Sequence, residues 1–301
     1  MRLQPNDFIE IRFAGMLQQG LITEYDIIRM RDELGLNNSI FVGYFMWLGQ
    51  VLQGNLGMSF VFEQPISTVM GSRMGVSFTI ALISMVLSMA IAIPLGTLAA
   101  TKQYSKFDYS STAVVMAGIS FPSFFFAGLV IWLFAVQLGW LPSGGQISAT
   151  LPPDASNAQI FFSRAHHLVL PILVMTVLGV GGLMRHTRTN TLEVLRADYI
   201  RTARAKGVSE IGVISRHAFK NTAIPLATMV GGLLPGLFGG AIVIEQIFAI
   251  DGVGFAALRA LQQGDIPFAM AFNMFMAILT VGGILISDIM YAIVDPRVKL
   301  N

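Results

Sequence analysis

Long runs of apolar residues, separated by short polar stretches, dominate the chain from residue 76 onward. The two clearest runs, 76–100 and 112–138, contain no ionisable side chain at all. Three more cover 168–184, 223–244 and 269–294. Because about 20 apolar residues of helix cross the hydrocarbon core of a bilayer, this pattern predicts five transmembrane helices.

Composition supports an all-α, polytopic membrane helical bundle. The 301 residues are 54% hydrophobic and 12% charged, against about 25% charged residues in soluble domains. Prolines inside the runs are compatible with helices, since neighbouring helices accommodate them in a membrane bundle. The chain has no cysteine and its four histidines lack zinc-type spacing, so we expect no metal site.

Lys and Arg are distributed unevenly between the predicted spans. The connections 101–111 and 185–222 hold two and eight cations, whereas 139–167 and 245–268 hold one each. Cytoplasmic loops carry the excess of cations. We therefore expect 101–111, 185–222 and the C-terminus to be cytoplasmic.

The same alternation predicts that residues 1–75 form an extracytoplasmic segment ahead of a transmembrane domain at 76–301. The run 40–54 is too short to span a bilayer and predicts an amphipathic surface helix. The start, MRLQPNDFIEIRFAG, has no apolar core of a signal peptide. A leading transmembrane helix is therefore expected before this segment; the rival interpretation is that the segment is exported unaided.

The loop 185–222 has eight cations, more than orientation alone requires, and regular helix punctuation. Asp198 is placed to cap a short helix, Gly207 to end it, and Ser209 to cap the next one. Tyr199, Ile200 and Ala203 would share one helix face, with arginines and a lysine over the remainder. This pattern predicts a cytoplasmic docking surface with an apolar edge ringed by positive charge.

Several stretches carry a resemblance to a known family. They are RADYIRTARAKGVSEIGVISRHAFKNTAIP in the cationic loop, LGLNNSIFVGYFMWLGQVLQGNLGMSF before the first span, ISFPSFFFAGLVIWLFAVQLGWLPSGG at the second, and EQIFAIDGVGF and IMYAIVDPRVK near the end. The chain resembles the inner-membrane permease subunits of bacterial ABC importers for dipeptides, oligopeptides and nickel. In that family the loop resembling 185–222 is the EAA loop. Members normally begin with a transmembrane helix before the segment that reads RLQPNDFIEI here.

The resemblance implies partners and a coupling site. A second, homologous permease would complete the path, and an extracytoplasmic binding protein would deliver substrate, with no nucleic acid involved. Two ATPase subunits would dock on the short coupling helices of the two permeases and supply ATP hydrolysis with Mg. The implied coupling residues are Asp198, Tyr199, Arg201, Ala203, Arg204 and Gly207. Arg201 stands where the motif's name would place Glu. Short peptides are the family's commonest cargo, with nickel, glutathione and opines as alternatives.

Within the fourth run, Gly232, Gly236 and Gly240 recur at every fourth position, and Pro235 lies among them. This face predicts either a helix that lines the path or close packing within the subunit. Asp288 is expected near the cytoplasmic interface in a structural role, with a loop arginine as candidate partner. Glu245 is expected where water reaches the outer end of the fourth span.

Other classes of protein are less consistent with the sequence. No G-x-x-x-x-G-K-[ST] phosphate loop occurs, so the chain itself is expected to be no enzyme and to bind no ATP or other cofactor. An ion-driven secondary transporter would have carboxylates at mid-membrane and an internal repeat. A degenerate, non-transporting subunit is the remaining alternative.

Overall fold

The computed structural model of the chain describes residues 13, 15, 17–33 and 38–294. Two compact units are found: one joins the described residues up to Ser72 with Ala256–Met274, and the other joins Arg73–Phe255 with the described residues from Phe275 onward. Regular structure in the described part is helical. Its elements are α1 Glu24–Glu33, α2 Ile40–Leu52, α3 Ile66–Thr101, α4 Lys106–Ser120, α5 Ser123–Ile131 with the π-helical π1 Trp132–Gln137, α6 Asn157–Leu195, α7 Asp198–Ala205, α8 Glu210–Gly212 with π2 Val213–Ala218, α9 Phe219–Ile247, α10 Val253–Gln262 and α11 Ile266–Val294.

The first unit contains the predicted surface helix. Its α2 begins at Ser39, whose side chain accepts a hydrogen bond from the Val42 amide. Asp265 fixes the connection before α11, because its buried carboxylate accepts hydrogen bonds from the Ser59 hydroxyl at 2.5 Å and the Phe268 amide at 3.1 Å. A helix therefore forms in the apolar run 40–54, and its position on a membrane surface stays a prediction.

In the second unit, α3 and α6 are joined by small and polar residues. The hydroxyls of Ser84 and Ser88, one turn apart, donate to the carbonyls of Ile172 and Thr176 at 3.3 and 3.0 Å. Such hydrogen bonds between helices, together with close packing at small residues, replace the hydrophobic driving force that lipid removes. One buried apolar cluster beside this contact contains Ile80, Ala127, Val130, Leu168, Leu170, Val174, Ile244, Phe248 and Ile250.

The second predicted span, 112–138, is not one continuous helix. It is divided into α4 and α5 with π1, which meet at an angle of 101°. Phe121 has an extended backbone with ψ 133°, because the ring of Pro122 disfavours the helical conformation of the preceding residue. The prediction of one transmembrane helix over 112–138 was therefore wrong at this proline.

Three described helices, α3, α6 and α11, are long and apolar enough to cross a membrane, and the bent pair makes a fourth candidate. The fourth predicted run lies in α9, a 29-residue helix of about 43 Å at 1.5 Å per residue. The side chains of five α9 residues lie outside the described part. The helical membrane bundle predicted from composition is confirmed.

Glu245, near the end of α9, is fully buried rather than reached by water. Its carboxylate accepts hydrogen bonds from the Ser77 hydroxyl at 2.5 Å and the Phe255 amide at 2.8 Å. A Cβ added at Gly252 would overlap this carboxylate. The segment that follows α9 therefore covers Glu245. The prediction that water reaches Glu245 was wrong, because a position near the end of an apolar run does not show which later segment packs over it.

Candidate functional site

The short helix α7 forms inside the cationic loop as predicted, with a different beginning. Its N-cap residue is Ala197, which has an extended backbone and makes no capping hydrogen bond through its side chain. Asp198 is the first helical residue, where a carboxylate favours the positive end of the helix dipole. Its pair with Arg201 spans 3.4 Å between side chains that are 95% and 76% exposed, so it adds little stability.

Gly207 ends α7 as predicted. Its φ of +77° is a left-handed conformation that glycine adopts without a steric penalty. The Gly207 and Val208 amides donate to the carbonyls of Arg204 and Ala203 at 3.0 and 3.3 Å. Ser209 then caps the next helix by accepting from the Gly212 amide. The predicted order of helix, break and helix is confirmed.

An ion pair joins the two sides of this turn. The Nε and Nη2 atoms of Arg204 donate to the two carboxylate oxygens of Glu210 at 2.8 and 3.2 Å. Two parallel hydrogen bonds fix the guanidinium plane as well as its distance. The pair therefore constrains how the helix after Ser209 leaves α7.

The apolar edge of α7 faces the subunit's own core and not solvent. Ile200 is fully buried and Ala203 is 6% exposed, in a cluster with Val213 and Ala218. The partly buried side chains of Val194 and Leu195, at the end of α6, pack against this cluster. The prediction that Ile200 and Ala203 form an exposed edge was wrong, because the loop folds back on π2 and α6 and covers them.

A different set of residues faces outward around the turn, and we call it the turn surface: Tyr199, Arg201, Arg204, Lys206, Val208 and Ile211. Ile211, the second residue after the N-cap Ser209, is 80% exposed. Sequence reasoning missed Val208 and Ile211. The available signal was that Ile211 lies two residues before the buried Val213 and so on another face of the helix.

Tyr199 also borders a groove of about 330 Å³ that opens beside α7. Its other lining residues are Asn190, Glu193, Val194, Ala197 and Pro225. Partial burial raises the pKa of the Tyr199 phenol from its ordinary value. The groove thus places the acidic side chain of Glu193 beside the turn surface.

The predicted glycine face on α9 is open. Gly232 and Gly236 are exposed, and no atom of the described residues lies within 4 Å of a Cβ built on either. Pro235 lies between them inside the continuous helix. The surroundings of Gly240 lie outside the described part. At Gly232 and Gly236 the described chain therefore makes no close helix contact.

Close packing occurs one residue away, where α9 crosses α11. A Cβ at Gly231 would overlap the Gly283 carbonyl, and one at Gly283 would overlap the Gly231 carbonyl. The Ser287 hydroxyl donates to the Thr228 carbonyl at the same crossing. Sequence reasoning missed this pair, although each helix shows a Gly-Gly doublet there. Asp288 is exposed nearby, and no ion pair in the described ranges joins it to a loop arginine.

Comparison with known proteins defines the class to which this helical membrane protein belongs. Residues 92–300 match the family of binding-protein-dependent transport system inner membrane components, and the chain belongs to this family. It is the permease subunit of a binding-protein-dependent ABC importer.

Individual relatives align over most of their length. The chain is 40% identical over 280 residues to the oligopeptide transport system permease AppB of Bacillus subtilis, covering 92% of this chain and 86% of that protein. It is 37% identical over 273 residues to a putative peptide transport system permease of Brucella abortus, covering 91% and 84%. It is 31% identical over 265 residues to the oligopeptide permease OppB of Haemophilus influenzae, covering 88% and 82%.

Proposed function

We propose that this permease forms half of a translocation path for dipeptides and oligopeptides. The similar proteins AppB, OppB and the Brucella permease are all named for peptide or oligopeptide transport. A second, homologous permease subunit would supply the other half of the path. Peptide would reach the pair on an extracytoplasmic binding protein.

The turn surface is the observation that carries the proposed mechanism. It combines exposed apolar side chains, Tyr199, Val208 and Ile211, with the cations of Arg201, Arg204 and Lys206. Apolar area surrounded by charge suits a protein interface, with charge setting register and partner choice. Two ATPase subunits would dock here and on the equivalent surface of the second permease.

ATP binding and hydrolysis with Mg would take place on these ATPase subunits, because the chain has no phosphate-binding loop sequence. Closure of the ATPases would push on α7. Ile200 and Ala203 pack α7 against π2 and the end of α6, so the displacement would enter α6 and α9 together. Asp198 and Gly207 would set where α7 begins and ends.

The proposed orientation follows the distribution of cations. The loops containing residues 101–111 and 185–222 would face the cytoplasm with the C-terminus, and residues 1–75 would lie outside. The open face with Gly232 and Gly236 would lie toward the path or the second permease, since Gly231 on the same helix already packs against Gly283. Pro235 and Gly240 belong to this proposed segment.

ATP-dependent uptake tests the function. The tagged chain is purified with its native partners, reconstituted in proteoliposomes and supplied with its binding protein and labelled di- to pentapeptides. Uptake that requires ATP and the binding protein is expected. Uptake of nickel, glutathione or an opine in place of peptides would change the substrate assignment, and ATP hydrolysis without any uptake would indicate a non-transporting subunit.

A further inference from the structure

Two side chains that are 80 residues apart in sequence form a bidentate ion pair in the second unit. The Nε and Nη2 atoms of Arg188, on α6, donate to the two carboxylate oxygens of Asp108, on α4, at 2.6 and 2.8 Å. The Asp108 side chain is 3% exposed and that of Arg188 is 26% exposed. Asp108 also accepts from the Tyr104 amide at 3.0 Å, so the carboxylate anchors the turn before α4 as well.

The same level of the bundle is packed closely by a third helix. A Cβ added at Gly96 of α3 would lie 2.7 Å from the Met184 carbonyl oxygen and 3.0 Å from the Arg188 amide nitrogen. The absence of a side chain thus lets α3 approach the backbone of α6 where Arg188 begins its reach to Asp108. Backbone contact on one side and an ion pair on the other leave α6 little freedom at this point.

The far end of α4 is held on α6 too. A Cβ at Gly181 would overlap the side chain of Ile119, one residue before α4 ends at Ser120. α4 therefore follows α6 from the ion pair to its own last turn. Beyond it comes the bend of 101° into α5.

α6 leads directly into the site that we propose to bind the ATPase. Only Arg196 and Ala197 separate its end from α7, and α7 packs back on α6 and π2 through Ile200 and Ala203. An uninterrupted series of contacts therefore runs from α7 through α6 and the Arg188–Asp108 pair to α4.

We propose that Asp108 and Arg188 are positioning residues of the import cycle: they fasten α4 to α6 so that movement of α7 reaches the bent second span as one displacement. This inference rests on the proposed function, in which α7 receives the motion of an ATPase. A pair that served stability alone would affect the amount of folded protein without changing how ATP hydrolysis is coupled to transport.

A distance measurement tests the linkage without any substrate. The chain has no cysteine, so Ser110→Cys on α4 and Thr202→Cys on α7, both exposed, provide two spin-label sites on this chain in the complex purified with its native partners. The complex without these two substitutions, labelled in the same way, gives the signal of any cysteine in the partners. A narrow distance distribution is expected in the parent. Asp108→Asn and Arg188→Gln should each broaden it, and the double variant should broaden it no further, because both changes remove one interaction.

Lys106→Gln is the matched control, since it removes an exposed cation two residues from Asp108. The control should leave the distribution as narrow as in the parent. Equally narrow distributions in Asp108→Asn and Arg188→Gln, or effects of the two changes that add in the double variant, would overturn the linkage. This measurement decides the linkage even when the parent imports no peptide.

Proteoliposomes that import peptide then test the functional consequence. The amount of ATP hydrolysed per peptide imported should rise by about tenfold in each single variant. Expressed as a free energy, a tenfold change lies within the range of interaction energies of contacting residues. The double variant should match the single variants. The ATPases should still co-purify. Broadened distances with an unchanged ratio, or a parallel loss of hydrolysis and transport, would overturn the positioning role.

Discussion

Arg204 and Glu210 are joined by two hydrogen bonds of 2.8 and 3.2 Å across the turn at Gly207. Both side chains remain substantially exposed, 43% and 62%, and exposed pairs contribute about 0.2–1 kcal/mol. Glu210→Gln should therefore lower the free energy of unfolding by no more than about 1 kcal/mol, measured by thermal unfolding in detergent. We expect weaker ATPase retention from the same variant, because Arg204 would no longer be held in place.

The conformation of Gly207 makes it the most sensitive position of the turn. Gly207→Ala places a Cβ in a left-handed conformation at φ +77°, which costs about 1–2 kcal/mol, and should reduce the ATPase recovered with the tagged chain. Gly207→Asn is the matched control, since asparagine tolerates this conformation. Equal losses from both variants would contradict a conformational role and point to a contact that any side chain blocks.

Ile211 and Ile200 provide a matched comparison of an exposed and a buried isoleucine. Ile211→Ala should leave the melting temperature nearly unchanged while lowering ATPase affinity, because this side chain is 80% exposed. Ile200→Ala should lower the free energy of unfolding by about 2–5 kcal/mol, because Ile200 is fully buried. Full ATPase binding by a well-folded Ile211→Ala protein would remove Ile211 from the proposed interface.

Gly231 and Gly232, which are neighbours on α9, also provide a comparison of a packed and an open position. Gly231→Ala should destabilise the subunit by about 1–3 kcal/mol, since its Cβ would overlap the Gly283 backbone. Gly232→Ala should leave stability unchanged, because no described atom lies within 4 Å of its built Cβ. Thermal unfolding of the two variants side by side decides this, and a similar loss from Gly232→Ala would contradict the open face.

Glu245 should be required for folding of the segment after α9. Glu245→Ala leaves the Ser77 hydroxyl and the Phe255 amide without their acceptor, and a buried unsatisfied group costs about 1–3 kcal/mol. Gln246→Ala, at an exposed neighbouring position, is the control. Protease sensitivity of residues 248–255 should rise in the first variant only; unchanged protection there would show that the carboxylate is dispensable.

Local rules were sufficient to predict the break between the two short helices, although not the N-cap of the first one. Gly207 and Ser209 could be assigned because helix ends depend on a few neighbouring residues, and both have the predicted roles. The bend at Pro122 was also available from the sequence, since proline restricts the residue before it, but the uninterrupted apolar run concealed it.

Relationships between distant residues could not be predicted from one sequence. Asp108 and Arg188 are 80 positions apart, and no periodicity links them. The burial of Ile200 was likewise unpredictable, because an apolar helix edge beside membrane spans has two possible partners, another subunit or the chain itself. The structure shows that its own α6 and π2 cover it.

Co-purification tests whether the turn surface binds the ATPases. The tagged chain is purified from native membranes in mild detergent, and the proteins that accompany it are identified by mass spectrometry, for the parent and for Gly207→Pro. We predict a second permease and two ATPase subunits with the parent. Gly207→Pro should retain the second permease and lose the ATPases, because proline cannot adopt the φ of +77° at this turn. Two results would contradict the turn surface as the binding site of the ATPases: recovery of the parent chain alone, or recovery of the ATPases with both the parent and Gly207→Pro.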